Sequence, residues 1–241
     1  MLYILFSPSE GKVQGGNEEK MKLFGSTNSR SEILQQYNQI INSNDQEMIK
    51  TLFGIKKYED CLPYIDDIFT AKTMKAIQRY DGVAYDYLQY NTLPKKAQTY
   101  IDIHTLIFSN LFGPILANDM IPIYKVKQGN SIGDIKPEQY YKERFSYQLD
   151  LFLGDNEILD LRAGYYDKFY KPKKFTTLKF LKNGKVVSHW AKAYRGIVLK
   201  EIALHQISSL DDMIKLEIEN LLIKEIKETK NKKELIYEII D

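Results

Sequence analysis

Cysteine is almost missing from this chain: Cys61 stands alone among 241 residues. No internal disulfide can form, which fits a reducing compartment and leaves stability to the core. Long apolar runs are missing as well. Residues 101–123 are broken by Asp102, Asn110, Pro114, Asn118 and Asp119, short of the roughly 20 apolar residues that span a bilayer. No membrane partner is expected. The start Met-Leu-Tyr-Ile-Leu-Phe reaches Pro8 and Glu10 too soon for a signal peptide, so the cytoplasm is the expected compartment. No charge sign dominates either: 34 basic against 32 acidic residues leave +2, so any nucleic-acid footprint must be local. His104, His189 and His205 stand far from one another and from Cys61, in no metal-ligand spacing. No metal and no cofactor are predicted. Walker A, Rossmann, Gly-x-Ser-x-Gly and kinase patterns are absent, which argues for binding over familiar hydrolase chemistry and leaves an unfamiliar enzyme open.

What is present suffices for one large core. No repeat and no linker divides residues 1–241, so a single domain is expected. Tyrosine is abundant, at 18 residues, and suits both packing and stacking on bases.

Leu2–Phe6 reads as a buried strand, followed by a long polar loop over residues 11–27. Ser29 or Ser31 can cap a helix to about Asn42, and Asp45 another to Phe53. The spacing predicts a helix over residues 65–79 and a short one containing Tyr85 and Leu88. Residues 105–109 and 158–161 read as strands, and residues 136–152 as a helix with Pro137 in its first turn. Asn183-Gly184 marks a hairpin between residues 175–181 and 185–190. A helix is expected over residues 193–206. The tail is open between a helix at 213–218 and strands at 221–228 and 234–240. The fold class is α/β, with α+β as the alternative: a mixed sheet, surrounding helices and a basic cleft at strand ends.

The segment Ser7-Pro8-Ser9-Glu10-Gly11-Lys12 releases a strand into a turn with a Pro, a Gly and a lone Lys, a usual way to aim amides and a cation at an anion. A strand-to-loop turn with a solvated Lys is the bland alternative. Lys12, Arg162, Lys192 and Arg195 each fall at a strand end or helix start, where open α/β sheets gather ligands. Taken singly, each is more often a solvated surface cation. Tyr80, Tyr85, Tyr165 and Tyr166 adjoin these segments and could stack on a base or pack in the core. His189, three residues before Lys192, is the candidate acid or base, though a hydrogen-bonded hairpin-end histidine is the commoner case.

Five blocks occur in register: the opening loop, Tyr80-Asp81-Gly82-Val83-Ala84-Tyr85, Leu111-Phe112-Gly113, Asp160-Leu161-Arg162-Ala163-Gly164-Tyr165-Tyr166 and Ser188-His189-Trp190-Ala191-Lys192-Ala193-Tyr194-Arg195-Gly196. Together they make the chain resemble the YaaA peroxide-stress family, in its Pro-Ser-Glu-Gly-Lys sub-branch. The resemblance implies a role in peroxide resistance through lower free intracellular iron. It also implies DNA binding through a helix-hairpin-helix element beside a basic cleft, with residues 109–113 as the hairpin candidate. Asn110 stands where relatives often have Gly, and Lys125 where they often have Arg. Lysine keeps the charge but loses the two-pronged geometry. The competing classes are an enzyme acting on a nucleotide or other phosphorylated small molecule, and an interaction scaffold.

Overall fold

The computed structural model describes residues 1–25 and 28–240, the side chain of His189 excepted. The chain runs β1 (Leu2–Phe6), β2 (Gly11–Lys12), α1 (Ser31–Ile41), α2 (Gln46–Phe53), β3 (Thr73–Lys75), α3 (Ala76–Arg79), β4 (Tyr80–Asp81), α4 (Val83–Leu88), α5 (Lys95–His104), β5 (Thr105–Ser109), β6 (Gly113–Leu116) and β7 (Met120–Pro122). It continues through α6 (Pro137–Leu153), β8 (Glu157–Asp160), β9 (Phe175–Lys182), β10 (Lys185–Val186), α7 (His189–Leu204), α8 (Leu210–Lys215), β11 (Leu221–Glu228) and β12 (Lys232–Ile239).

Among the described residues one large sheet runs in the order β11-β12-β9-β8-β1-β5-β6, with β10 added beside β9. Its middle, from β12 to β5, is parallel. Its outer strands β11 and β6 are antiparallel, so the sheet is mixed, as the sequence predicts. All of β5 and all of β1 but Tyr3 are buried, the pattern of central strands covered on both faces. The alternation of β9 instead buries one face, where Phe180 stacks on Tyr194 of α7. No described helix is long and apolar enough to cross a membrane.

Local signals act where expected. The Asp45 carboxylate accepts the Met48 N–H at 3.0 Å and starts α2, and Pro137 opens α6. Asn183 and Gly184 take φ of 52° and 73°, the positive pair that a tight two-residue hairpin requires.

Three expectations change. Residues 65–79 are not one helix. The Asp67 carboxylate accepts the Phe69 N–H at 2.8 Å, which closes a turn, and β3 then pairs with β7. Only α3 remains helical. Of the long loop expected over residues 11–27, residues 26 and 27 lie outside the described residues, and its first part is tied down: β2 pairs with β4, and the buried Arg79 guanidinium donates to the carbonyls of Val13 and Gly15. The second hairpin arm ends at Val186 because α7 begins at His189 and buries Ala193, Tyr194 and Val198. The tail resolves into two strands, β12 lying parallel to β9 along its whole length, after the short helix α8.

Candidate functional site

Strands β1, β5 and β8 lie side by side and parallel, so their carboxyl ends open on one edge. The chain leaves them as residues 7–12, 110–113 and 161–166, the place where open α/β sheets collect ligands. Ser7 stitches this edge: its Oγ accepts the Ala163 N–H at 2.8 Å, and its carbonyl accepts the Tyr85 hydroxyl at 2.8 Å.

Pairing of β2 with β4 carries Lys12 inward. Lys12 is 7% exposed, and its Nζ donates to the Ser9 and Glu10 carbonyls at 3.0 and 3.3 Å. The ammonium lies 4.3 Å from the centre of the Tyr124 ring and 5.4 Å from that of Tyr80, where the ring faces attract it. Burial, with help from the charge of Lys125 and against the pull of Glu10, lowers the Lys12 pKa to about 7. Lys125 donates to the Glu10 carbonyl at 3.3 Å and lies 5.1 Å from the Tyr64 ring centre. The Glu10 carboxylate accepts the Gln128 N–H at 3.2 Å.

The tyrosines are mostly interior. Tyr80, Tyr85 and Tyr166 are 2%, 8% and 3% exposed, and burial pushes the Tyr80 phenol up to about 12 and raises those of Tyr85 and Tyr166 as well. None of the three offers a ring face to a nucleobase. Tyr165 is half-buried, donates to Glu138 at 3.3 Å, and has the Lys168 ammonium 4.9 Å from its ring centre.

Arg162 is a brace. Its Nε and Nη2 grip both oxygens of Asp160 at 2.9 and 2.6 Å, Nη1 reaches the Tyr166 carbonyl at 3.1 Å, and Nη2 also reaches the Tyr170 carbonyl at 3.0 Å. The guanidinium covers Phe108 at 4.3 Å. Every prong is spent on the protein. Arg195 lies within the field of Asp160, and burial lowers its pKa. It makes no hydrogen bond or ion pair with the described residues. Lys192 is exposed and precedes it by three residues, hence on the same face of α7. His189 opens α7, and its side chain lies outside the described residues. Residues 109–113 form the buried turn between β5 and β6, and Asn110 needs no left-handed backbone.

The structure thus gathers Lys12, Lys125, Tyr80, Tyr85 and Tyr166 at one edge, sets Arg162 beneath them and leaves Lys192 outward. The sequence reasoning passed over Tyr124, Ser109 and Glu10. Their positions, beside Lys125, at the end of a predicted strand and within the opening motif, were the available signals. Two open clefts of about 500 and 740 Å³ lie elsewhere, one at the amino-terminal starts of β8, β9 and β12, the other between α4 and α7.

A family described as Peroxide stress protein YaaA matches residues 1–227. An uncharacterized Campylobacter jejuni protein, Cj0984, is 47% identical over 248 residues, covering 99% of both chains. A UPF0246 protein of Corynebacterium glutamicum is 32% identical over 218 residues, covering 85% of this chain and 86% of its own. One of Streptomyces coelicolor is 27% identical over 215 residues, covering 83% and 82%. With a family match over residues 1–227 and a relative 47% identical over nearly its whole length, this chain belongs to the YaaA peroxide stress protein family.

Proposed function

We propose that this protein serves the peroxide stress response by binding phosphate-bearing ligands at the carboxyl edge of its sheet, with DNA as the partner. The supporting observation is that Lys12, Lys125 and Arg195 make no carboxylate contact with the described residues there. Cations left without a bonded counter-charge favour an incoming anion. Lys192 is exposed on the Arg195 face of α7, within reach of an extended backbone. The buried tyrosines hold the edge in shape and do not stack on bases. In the cell, the expected consequence of this binding in the cytoplasm is peroxide survival with a smaller pool of free iron. A second reading, a small phosphorylated molecule bound or transformed at the same edge, draws on the depth of Lys12.

Fluorescence anisotropy with duplex, bulged and single-stranded DNA across a salt series tests the proposal, with a Lys125→Ala/Lys192→Ala/Arg195→Ala variant beside the wild type. The expected result is affinity that falls steeply with salt, each duplex phosphate contact adding about 0.9 to the logarithmic slope, and that is lost in the variant. Folded wild type that binds none of the three at low salt would remove DNA and leave the small ligand.

A further inference from the structure

Between α4 and α7, away from the carboxyl edge, lies an open cleft of about 740 Å³, within the size range of small-ligand sites. One stripe of α7 forms a wall of it: Trp190, Ala193, Tyr194, Ile197 and Glu201 recur there at helical spacing. Lys192 and Arg195 fall outside that stripe, so α7 serves the cleft and the edge with different faces. Trp190 and, on α4, Tyr87 are 40% and 42% exposed, large rings that folding leaves open to water. The Trp190 ring has the Lys182 ammonium 5.6 Å from its centre and still keeps this exposed surface.

Four carboxylates line the same cleft: Asp86 of α4, Glu201 of α7, and Glu217 and Glu219 from the segment before β11. Against them stands the one ammonium of Lys200, which donates to Gln89 Oε1 at 2.7 Å. Glu201 lies 3.7 Å from His205. Asp86, Glu217 and Glu219 form no side-chain hydrogen bond or ion pair with the described residues. Negative charge is thus concentrated here in a chain that carries +2 as a whole. Carboxylates and aromatic rings attract the same kind of guest, a cation.

The spread of the carboxylates over three elements decides which cation. Among the described residues no three acidic, histidine or cysteine side chains are grouped to hold a metal ion, so a compact ion finds no cage in the cleft. A cation whose charges are spaced along a hydrocarbon stem can meet the carboxylates in turn and lay its methylenes on Ile197 and the rings. We propose that the cleft between α4 and α7 binds a linear polyamine, its ammonium groups set against Asp86, Glu217 and Glu219 and its methylenes against Trp190 and Tyr87. This site is independent of the anion reading of the carboxyl edge.

Trp190 is the one tryptophan of the chain, so its fluorescence reports on the cleft directly. Titration of the full chain with spermidine at constant ionic strength, followed by calorimetry and by Trp190 emission, tests the proposal, with magnesium chloride as the compact cation. The expected result is saturable heat and a saturable change in emission with spermidine, and neither with magnesium. A Glu217→Gln/Glu219→Gln variant alters two exposed side chains and leaves the core as it is. Its affinity is expected to fall about tenfold, the size of two exposed ammonium–carboxylate contacts. A Tyr87→Ala variant is expected to bind more weakly as well. No saturable heat with spermidine, an equal response to magnesium, or full affinity in the double variant would each overturn the proposal.

Discussion

A fully buried arginine survives at position 162 because five acceptor contacts surround it, three on Asp160 and two on main-chain carbonyls, the first of the five being that of its own backbone N–H. Arg162→Met would leave the Asp160 carboxylate buried without its partner, and a loss of about 3–5 kcal/mol is expected. Arg162→Lys is expected to recover only part, because an ammonium cannot grip two oxygens in parallel. Urea denaturation of both variants measures this. Lys12 carries the opposite kind of cost, a charge placed where water cannot reach it. Its folded pKa of about 7 lies below the ordinary 10.5, so between these values the unfolded chain holds more protons than the folded one. Stability contributed at this site therefore rises with pH across that window, and the full penalty is present below it. Comparing wild type with Lys12→Met at pH 6.5 and pH 9 is expected to show the wild type gaining on the variant at the higher pH. Position 12 was legible in the strand-to-turn motif. Its burial was not, because the covering rings of Tyr80 and Tyr124 come from segments far along the chain. The brace at Arg162 is legible only in hindsight of the fold, where its partner Asp160 stands two residues before it.

Helix α7 and helix α4 meet at Gly196, where a Cβ would overlap the Ala84 carbonyl and crowd the Leu88 amide. Backbone on the other side cannot give way cheaply. Gly196→Ala is expected to destabilise the fold by about 1–3 kcal/mol or more, as overpacking does, although alanine is the better helix former. Thermal unfolding reads the sign, and a neutral result would mean that the two helices slide apart. Elements with strong local chemistry were readable: the Asp45 cap, Pro137 at the head of α6, and the Asn183-Gly184 turn. The segment 65–79 was not, because the pairing of Thr73–Lys75 with Met120–Pro122 outweighs a weak helical period. The order of residues 13–15 was likewise unreadable, since it depends on Arg79 gathering carbonyls from a distance.

At the scale of the molecule, a parallel sheet middle brings three strand ends to one edge, and this topology places segments 7–12, 110–113 and 161–166 together as the candidate site. The family could be read from five short blocks, and the mixed sheet from the alternation of strand and helix signals. The interior position of three of the four candidate tyrosines could not, since packing and stacking demand the same residue type. A strain lacking this protein is expected to lose viability under peroxide, to regain it with the wild type, and to regain little with the Lys125→Ala/Lys192→Ala/Arg195→Ala form at equal expression. The most direct test of an anion site centred on Lys12 is the titration of its Cε resonance by NMR, with and without inorganic phosphate. The account predicts a midpoint near pH 7 in the free protein that moves upward when phosphate binds, because a bound anion favours the ammonium. A midpoint that stays in place at saturating phosphate would contradict it.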